Sequence, residues 1–385
     1  MQEYYVDSAP QLADLCARLR SSAWLALDTE FMREKTYYAQ FCLLQVANEE
    51  LIACVDPLAL GDLQPLLDII YDPAVIKVMH AARQDLEIFY DLRGALPRPV
   101  FDTQIAATLL GYGDQVGYAA LVQGMLGVEL DKSHTRTDWC RRPLDMQQLR
   151  YARDDVRYLT QIYVQQRDEL ERKGRDAWLS EDFAELTDAA RYANAPHAAW
   201  QRVRGANTLR GVQLAALREL AAWREERARG ADKPRKWIIS DELLLELARR
   251  LPADADDLEN VRGLEASFIK RHGAHIAGII NAAKTLPREE WPQFAPPPRL
   301  DNAQEALVDT LMAMVRLRGA QNAVSPATLA TRKDLEQLVL GARDAPILHG
   351  WRGALVGREL LEFLQGRLSL RVQDGALDAV VYEKA

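Results

Sequence analysis

The chain has 385 residues, 48% of them apolar and 27% charged. This is the profile of a globular protein of about two to three domains, and it excludes a disordered chain, a collagen and a coiled-coil rod. The net charge of −8 argues against a surface built throughout for nucleic acid, but residues 201–294 hold 17 Lys/Arg against 14 Asp/Glu, a mildly basic stretch in an acidic body.

In chain order, the start MQEYYVDSAPQLADLCARLR carries acids and no apolar run, so no secretory signal is expected. Nowhere does the chain approach the roughly 18 uncharged apolar residues of a membrane span. Trp24–Phe31 (WLALDTEF) reads as a strand, as do Phe41–Ala47 and Glu50–Val55, the last two pairing through the polar Asn48-Glu49-Glu50 turn. A helix is expected over Leu63–Ile70, a short buried strand over Val75–Met79, and helices over Ala82–Leu92 and Gln104–Leu110. From Leu144 onward the pattern is almost entirely helical. Alternation followed by helices predicts an α/β domain with a mixed sheet, then all-α modules.

Two breaks divide the helical part. Asn194-Ala195-Pro196 and Arg204-Gly205-Ala206-Asn207 bracket one connector, and Trp291–Pro298 is a stiff proline-rich linker. The segments beyond them suggest a repeat. Ile239-Ser240-Asp241 is echoed by Val324-Ser325-Pro326, and Arg262-Gly263-Leu264 by Arg352-Gly353-Ala354, each serine a candidate helix N-cap. Four scattered cysteines (Cys16, Cys42, Cys54, Cys140) form no C-x-x-C pair, so neither a zinc site nor a disulfide framework is expected, and a reducing cytoplasm fits.

The chemistry lies in three places. Asp28 and Glu30 project from one face of a strand, because side chains at i and i+2 share a face. So placed they repel unless a cation bridges them; the alternative is a charge-guarded edge strand. Asp85 falls in the first turns of the helix after the buried strand. An acid there is also ordinary complement to a helix N-terminus. Tyr151 and Asp155 stand one turn apart on a helix, with Asp154 a quarter-turn away and expected to be solvated. Together, four carboxylates suit a pair of hard cations, Mg²⁺ or Mn²⁺, placed to hydrolyse a phosphodiester.

This ordered set, Asp28, Glu30, Asp85, Tyr151 and Asp155, resembles the DEDD exonucleases in their tyrosine-bearing branch. The stretches LDTEFMREKTYYAQFCLLQ, HAARQDLEIF, FDTQIAA and KSHTRTDWCRRPLDMQQLRYARDD resemble the ribonuclease D family within it. The resemblance implies a ribonuclease H-like catalytic domain over 1–200 and an HRDC-like helical domain over 208–290. A divergent second helical domain would span 302–385. It further implies 3′–5′ exoribonuclease action with two Mg²⁺ or Mn²⁺ ions held by the four carboxylates, Tyr151 orienting water, and release of 5′-mononucleotides. The implied partner is RNA with a free 3′ end, tRNA precursors above all, with no membrane and no obligate protein partner.

Other residues keep two readings. His80 touches substrate or is a satisfied helix-start histidine; Asp102 is a fifth ligand or an N-cap that locks the site. Lys132, Arg136, Arg141 and Arg142 with Trp139 suit single-stranded RNA or form a solvated loop. Arg235 and Lys236 lie in the densest basic stretch, Arg227–Trp237, a second candidate RNA contact or a charged inter-helix loop. A DNA proofreading exonuclease would need a polymerase domain, and a non-catalytic adaptor would have lost a carboxylate. A chain cut near Ala206 keeps every proposed ligand and is expected to cleave short RNA.

Overall fold

The structure is a computed structural model that describes residues 1–131, 137–294 and 299–381. Its first sheet has six strands: β1 (Gln2–Val6), β2 (Trp24–Met32), β3 (Gln40–Ala47), β4 (Leu51–Val55), β5 (Ile76–Met79) and β6 (Val100–Asp102). They lie in the order β1-β4-β3-β2-β5-β6. β2, β5 and β6 run parallel, with Ala26 opposite Val78, and β3 and β4 pair antiparallel through the expected polar turn, with Leu44 opposite Val55. β1 pairs parallel with β4. Helices α1 (Ala9–Leu19), α2 (Pro57–Leu60), α3 (Gln64–Ile70), α4 (Arg83–Arg93), α5 (Thr103–Leu110) and α6 (Tyr118–Leu126) surround this sheet in sequence. The 27-residue α7 (Met146–Arg172) begins at Asp145, whose carboxylate accepts from Gln147 and Gln148 N–H in a capping box. Val156, Leu159 and Tyr163 of α7 pack on Trp24 and Ala26 of β2. That contact fixes which face of β2 meets α7. α8 (Leu179–Leu186) follows.

The second group of helices comprises α9 (Val212–Gly230), α10 (Arg235–Ile238), α11 (Asp241–Arg250), α12 (Ala255–Glu259) and α13 (Ala266–Thr285). Leu214, Leu217, Leu220, Leu244, Leu247, Ile276 and Ile280 form its core. The third comprises α14 (Asn302–Asn322), α15 (Pro326–Leu329), α16 (Arg332–Val339) and α17 (Gly350–Arg352), which continues through a π turn into α18 (Arg358–Leu364). It ends in a hairpin, β7 (Leu368–Gln373) and β8 (Ala376–Val381), so the all-α expectation fails for these last strands. The element order does repeat: a long helix, a four-residue helix, then a helix capped by a hydroxyl. By that order the counterpart of Ser240, which caps α11, is Thr331, which caps α16; Ser325 starts the short α15 instead.

The chain divides into two compact units. One unit is Met1–Glu30, Phe41–Asp188 and Pro297–Ala385; the other is Phe31–Gln40 with Ala189–Pro296. The last helical segment thus shares a core with the sheet domain. Leu109 and Leu110 of α5, Leu170 of α7 and Leu179 of α8 pack with Leu311, Met314 and Val315 of α14. Cys42 of β3 is disulfide-bonded to Cys140, 98 residues away, which the spacing alone does not reveal. Cys16 and Cys54 are buried and free.

Within the second unit, the loop Phe31–Gln40 is tied to the helices by a buried carboxylate. Glu225 is fully buried, receives both arms of Arg235 at 2.6 Å, and accepts from Tyr37 Oη. Asp232 Oδ1 accepts from the Tyr37 and Tyr38 N–H at 3.0 and 3.1 Å. Burial alone would raise the Glu225 pKa, but the bonds from Arg235 and Tyr37 outweigh it and hold it below the ordinary 4.5. Arg235→Ala leaves that charge buried and half-partnered, and is expected to destabilise the unit by about 3 kcal/mol in urea unfolding. A lowered carboxyl pKa contributes stability above the ordinary value and loses it as pH falls. The gap between wild type and variant should therefore shrink as pH drops below about 4.5. A gap near zero at neutral pH, or one unchanged in acid, would contradict this.

Candidate active site

β2 places Asp28 and Glu30 on the face where Trp24 and Ala26 meet α7, and α7 brings Asp155 to the same place. One carboxylate oxygen of each of Asp28, Glu30 and Asp155 lies within 4.8 Å of the others. Asp85, in the first turn of α4, is buried; its Oδ1 accepts from the Thr29 hydroxyl. It is close enough to raise the pKa of both Asp28 and Glu30. The four expected carboxylates therefore come together from one strand and two helices, three tightly and the fourth turned towards Thr29.

Their electrostatics are those of a cation site without a protein counter-charge. Burial, then the charges of Asp155, Asp85 and Glu30, hold Asp28 well above the usual carboxylate range. Burial followed by Asp155 and Asp85 pushes Glu30 to about 9. Burial pushes Asp155 to about 8, with Asp154 adding to it. Burial likewise raises Asp85 to about 6, against the Thr29 bond that lowers it. No lysine or arginine is among the groups dominating these shifts. Packed acids of this kind keep protons or exchange them for a cation. The donors are all hard oxygens with no His or Cys among them, which fits Mg²⁺ or Mn²⁺ rather than zinc.

Tyr151 lies one turn before Asp155, and both line a cleft of about 570 Å³ with Tyr118, Arg150 and Tyr158. Its ring stands 6.0 Å from Trp139. Sequence reasoning missed Tyr118. Its hydroxyl donates to the carbonyls of Asp154, at 3.1 Å, and Asp155, anchoring the turn that carries the ligand. No spacing rule links residue 118 to residue 155; only the packing of α6 on α7 does. Thr29 was missed as well, although a hydroxyl between two site carboxylates was the available signal. Asp154 is not free in solvent: it pairs with Arg157 at 3.1 Å.

Asp102 is a cap rather than a ligand. It accepts from Gln104 and Ile105 N–H at the start of α5, and also from Ala81 and Ala82 N–H at 3.1 and 2.8 Å. It thereby fixes the loop that launches α4 and Asp85. His80 Nδ1 bonds Thr103 Oγ1 at 2.9 Å, its ring is 5.4 Å from Tyr118, and burial lowers its pKa. Among the described residues its Nε2 has no partner. Trp139 is 3% exposed, so a base cannot stack on it as it stands. Arg142 is bound to Asp56 at 2.5 Å, whereas Arg141 is exposed. Arg235 is held by Glu225 and Lys236 is exposed. Lys132 and Arg136 lie outside the described residues.

A family model described as 3′–5′ exonuclease matches residues 4–171, and one described as the HRDC domain matches 213–280. The chain is 42% identical over 377 residues to a ribonuclease D of Sphingobium indicum, covering 97% of each. It is 41% identical to a ribonuclease D of Granulibacter bethesdensis, covering 95% of this chain and 94% of that one. Among solved structures it is similar to Escherichia coli RNase D, an exoribonuclease involved in structured RNA processing. That match has 35% identity, a TM-score of 0.79, and covers 95% of this chain and 99% of the other.

Proposed function

The chain belongs to the ribonuclease D family, and from that premise we propose that it trims the 3′ ends of structured RNAs, tRNA precursors among them. It is a 3′–5′ exoribonuclease. The observation that carries the reading is the carboxylate cluster of Asp28, Glu30 and Asp155 with Asp85 beside it, Asp155 lining a cleft shared with Tyr151. Asp28, Glu30, Asp85 and Asp155 would hold two divalent cations, Mg²⁺ or Mn²⁺. Bound there, such ions supply Lewis-acid activation of water and stabilise the leaving 3′ oxygen.

The chain's own residues do the rest. Thr29 orients Asp85, Asp102 fixes the start of its helix, and Tyr118 pins the backbone of Asp155. Tyr151 presents its hydroxyl from the turn below Asp155 and aligns the attacking water with the terminal phosphate. A 5′-mononucleotide leaves carrying the water's oxygen on its phosphate, and the leaving 3′ oxygen takes up a proton to become the new 3′ hydroxyl of the shortened RNA. The helical segment 208–290 holds RNA, and 302–385 is a divergent copy of it by element order. No helix among the described residues is long and apolar enough to cross a membrane, and the expected place of action is the cytoplasm.

A precursor tRNA with a short 3′ extension tests the RNA assignment. The expected product ends at or near the mature length, with a matched single-stranded DNA degraded much more slowly. Equal rates on the two would overturn the RNA assignment. Tyr151→Phe is expected to lower kcat about 10²-fold with KM within about twofold, because the hydroxyl acts in the transition state. A change confined to KM would make Tyr151 a binding residue.

A further inference from the structure

Several cations of the second unit are paired with acids. Arg224 is bound to Asp241 at 2.7 Å, Arg235 to Glu225, and Arg250 to Glu246 at 2.5 Å. Arg229 donates to the Asn194 carbonyl at 2.5 Å. One group is different. Arg227 lies on α9 one turn after Trp223, and Arg271, His272 and His275 lie on the facing helix α13. The Trp223 ring is 5.5 Å from His272 and 6.4 Å from His275, and Phe268 sits 5.0 Å from His272. These rings set the two helices so that the four basic groups converge. Arg227, Arg271 and His275 are exposed and His272 is half-buried.

Arg227, Arg271 and His275 all act on His272 as like charges. Burial first, then these three neighbours, push its pKa down. Arg271 donates to the Ser267 carbonyl on its own helix, a bond that leaves its charge uncompensated. Elsewhere on the surface the chain interleaves acids with bases, as in the Arg332 cluster with Glu305, Asp309 and Glu336. A like-charged group is relieved by an anion from outside. Trp223 is almost wholly buried, so it offers no face for a base. What this surface offers is charge rather than a stacking face.

We propose that Arg227, Arg271, His272 and His275 form a phosphate-binding patch for the RNA backbone, with His272 taking up a proton as phosphate docks. The anion assignment rests on this geometry, and the polymer rests on the exoribonuclease reading. Because a seated phosphate favours the charged His272 imidazole, affinity should rise as pH falls from about 7.5 to about 6.

The test uses the full chain, a fluorescent single-stranded RNA of roughly 25 nucleotides, and EDTA to prevent cleavage. Arg227→Gln with Arg271→Gln is expected to weaken binding about tenfold at low salt and to flatten the log–log salt slope by about 1.4, two contacts at roughly 0.7 each. Arg227→Lys with Arg271→Lys should keep the slope. His272→Gln should leave affinity near pH 7.5 within about twofold and abolish the tightening near pH 6. An unchanged slope in the glutamine pair, or equal loss in the lysine pair, overturns the patch. Displacement of RNA by polyglutamate as readily as by polyphosphate overturns the RNA-backbone assignment. Hydrolysis of a dinucleotide with Mg²⁺ separates the two readings: every variant should match wild type, and failure of wild type itself would strike the exoribonuclease reading alone.

Discussion

Asp28→Asn is expected to reduce kcat on RNA by on the order of 10⁴-fold, about 5 kcal/mol of barrier, while the folded chain persists. Asparagine keeps the shape of the side chain and removes the charge that a hard cation requires. The same logic applies to Asp155→Asn, whose oxygen lies in the same tight cluster. The fold should survive because the substitution relieves repulsion: burial and three neighbouring acids already oppose the Asp28 charge. The variant is thus expected to unfold at the same urea concentration as wild type, or a higher one, in EDTA. Steady-state kinetics with Mg²⁺ and urea unfolding together check this. Near-normal turnover would remove Asp28 from the site, and a large loss of stability would make the effect one of folding.

Deleting residues 297–385 is expected to abolish folding of the first unit, not merely to weaken RNA binding. α14 and its neighbours bury Leu109, Leu110, Leu170 and Leu179. Trp351 stacks on Trp178 at 4.8 Å, Arg352 pairs with Asp182 at 2.8 Å, and Arg175 donates to the Asn322 carbonyl at 2.7 Å. Exposing even half of that apolar surface costs several kcal/mol at roughly 1.5–3 kcal/mol per large side chain. Against a total stability of about 5–15 kcal/mol, that is decisive. The expectation of an active fragment ending near Ala206 falls with it. Such a fragment would also strip Tyr37 of its partners Glu225 and Arg235. Loss of the first unit's share of the urea transition and of the near-ultraviolet circular dichroism, with only the second unit's remaining, would bear this out. A soluble fragment whose first unit still unfolds cooperatively would refute it.

What was legible in the sequence is what depends on local periodicity. The two-residue period of β2 puts Asp28 beside Glu30, the helical period of α7 puts Tyr151 beside Asp155, and a strand-to-helix junction puts Asp85 at the end of the sheet. What escaped depends on contacts between distant segments: the Tyr118 anchor on Asp155, the Thr29–Asp85 bond, and the Cys42–Cys140 disulfide. Strand β1, QEYYV, has little alternation of its own and is recruited by the buried edge of β4. The β7–β8 hairpin is another matter. Its Asp374-Gly375 turn, both residues at positive φ, sits between alternating strands and is a strong hairpin signal that a helical reading passed over. Trp139 and Arg235 look like RNA contacts because aromatic and basic residues cluster in the sequence. Burial of the first and pairing of the second are settled only by tertiary packing.

Metal-dependent removal of nucleotides from a 3′ end is the activity expected of the Asp28, Glu30, Asp85 and Asp155 cluster. One measurement tests it most directly: a time course on RNA labelled at its 5′ end, with Mg²⁺ or with excess EDTA, resolved at single-nucleotide steps. The predicted result with Mg²⁺ is a ladder that shortens one nucleotide at a time, together with 5′-mononucleotides, and with EDTA full-length RNA alone. Cleavage that persists in EDTA, or internal fragments appearing before the ladder, would contradict it.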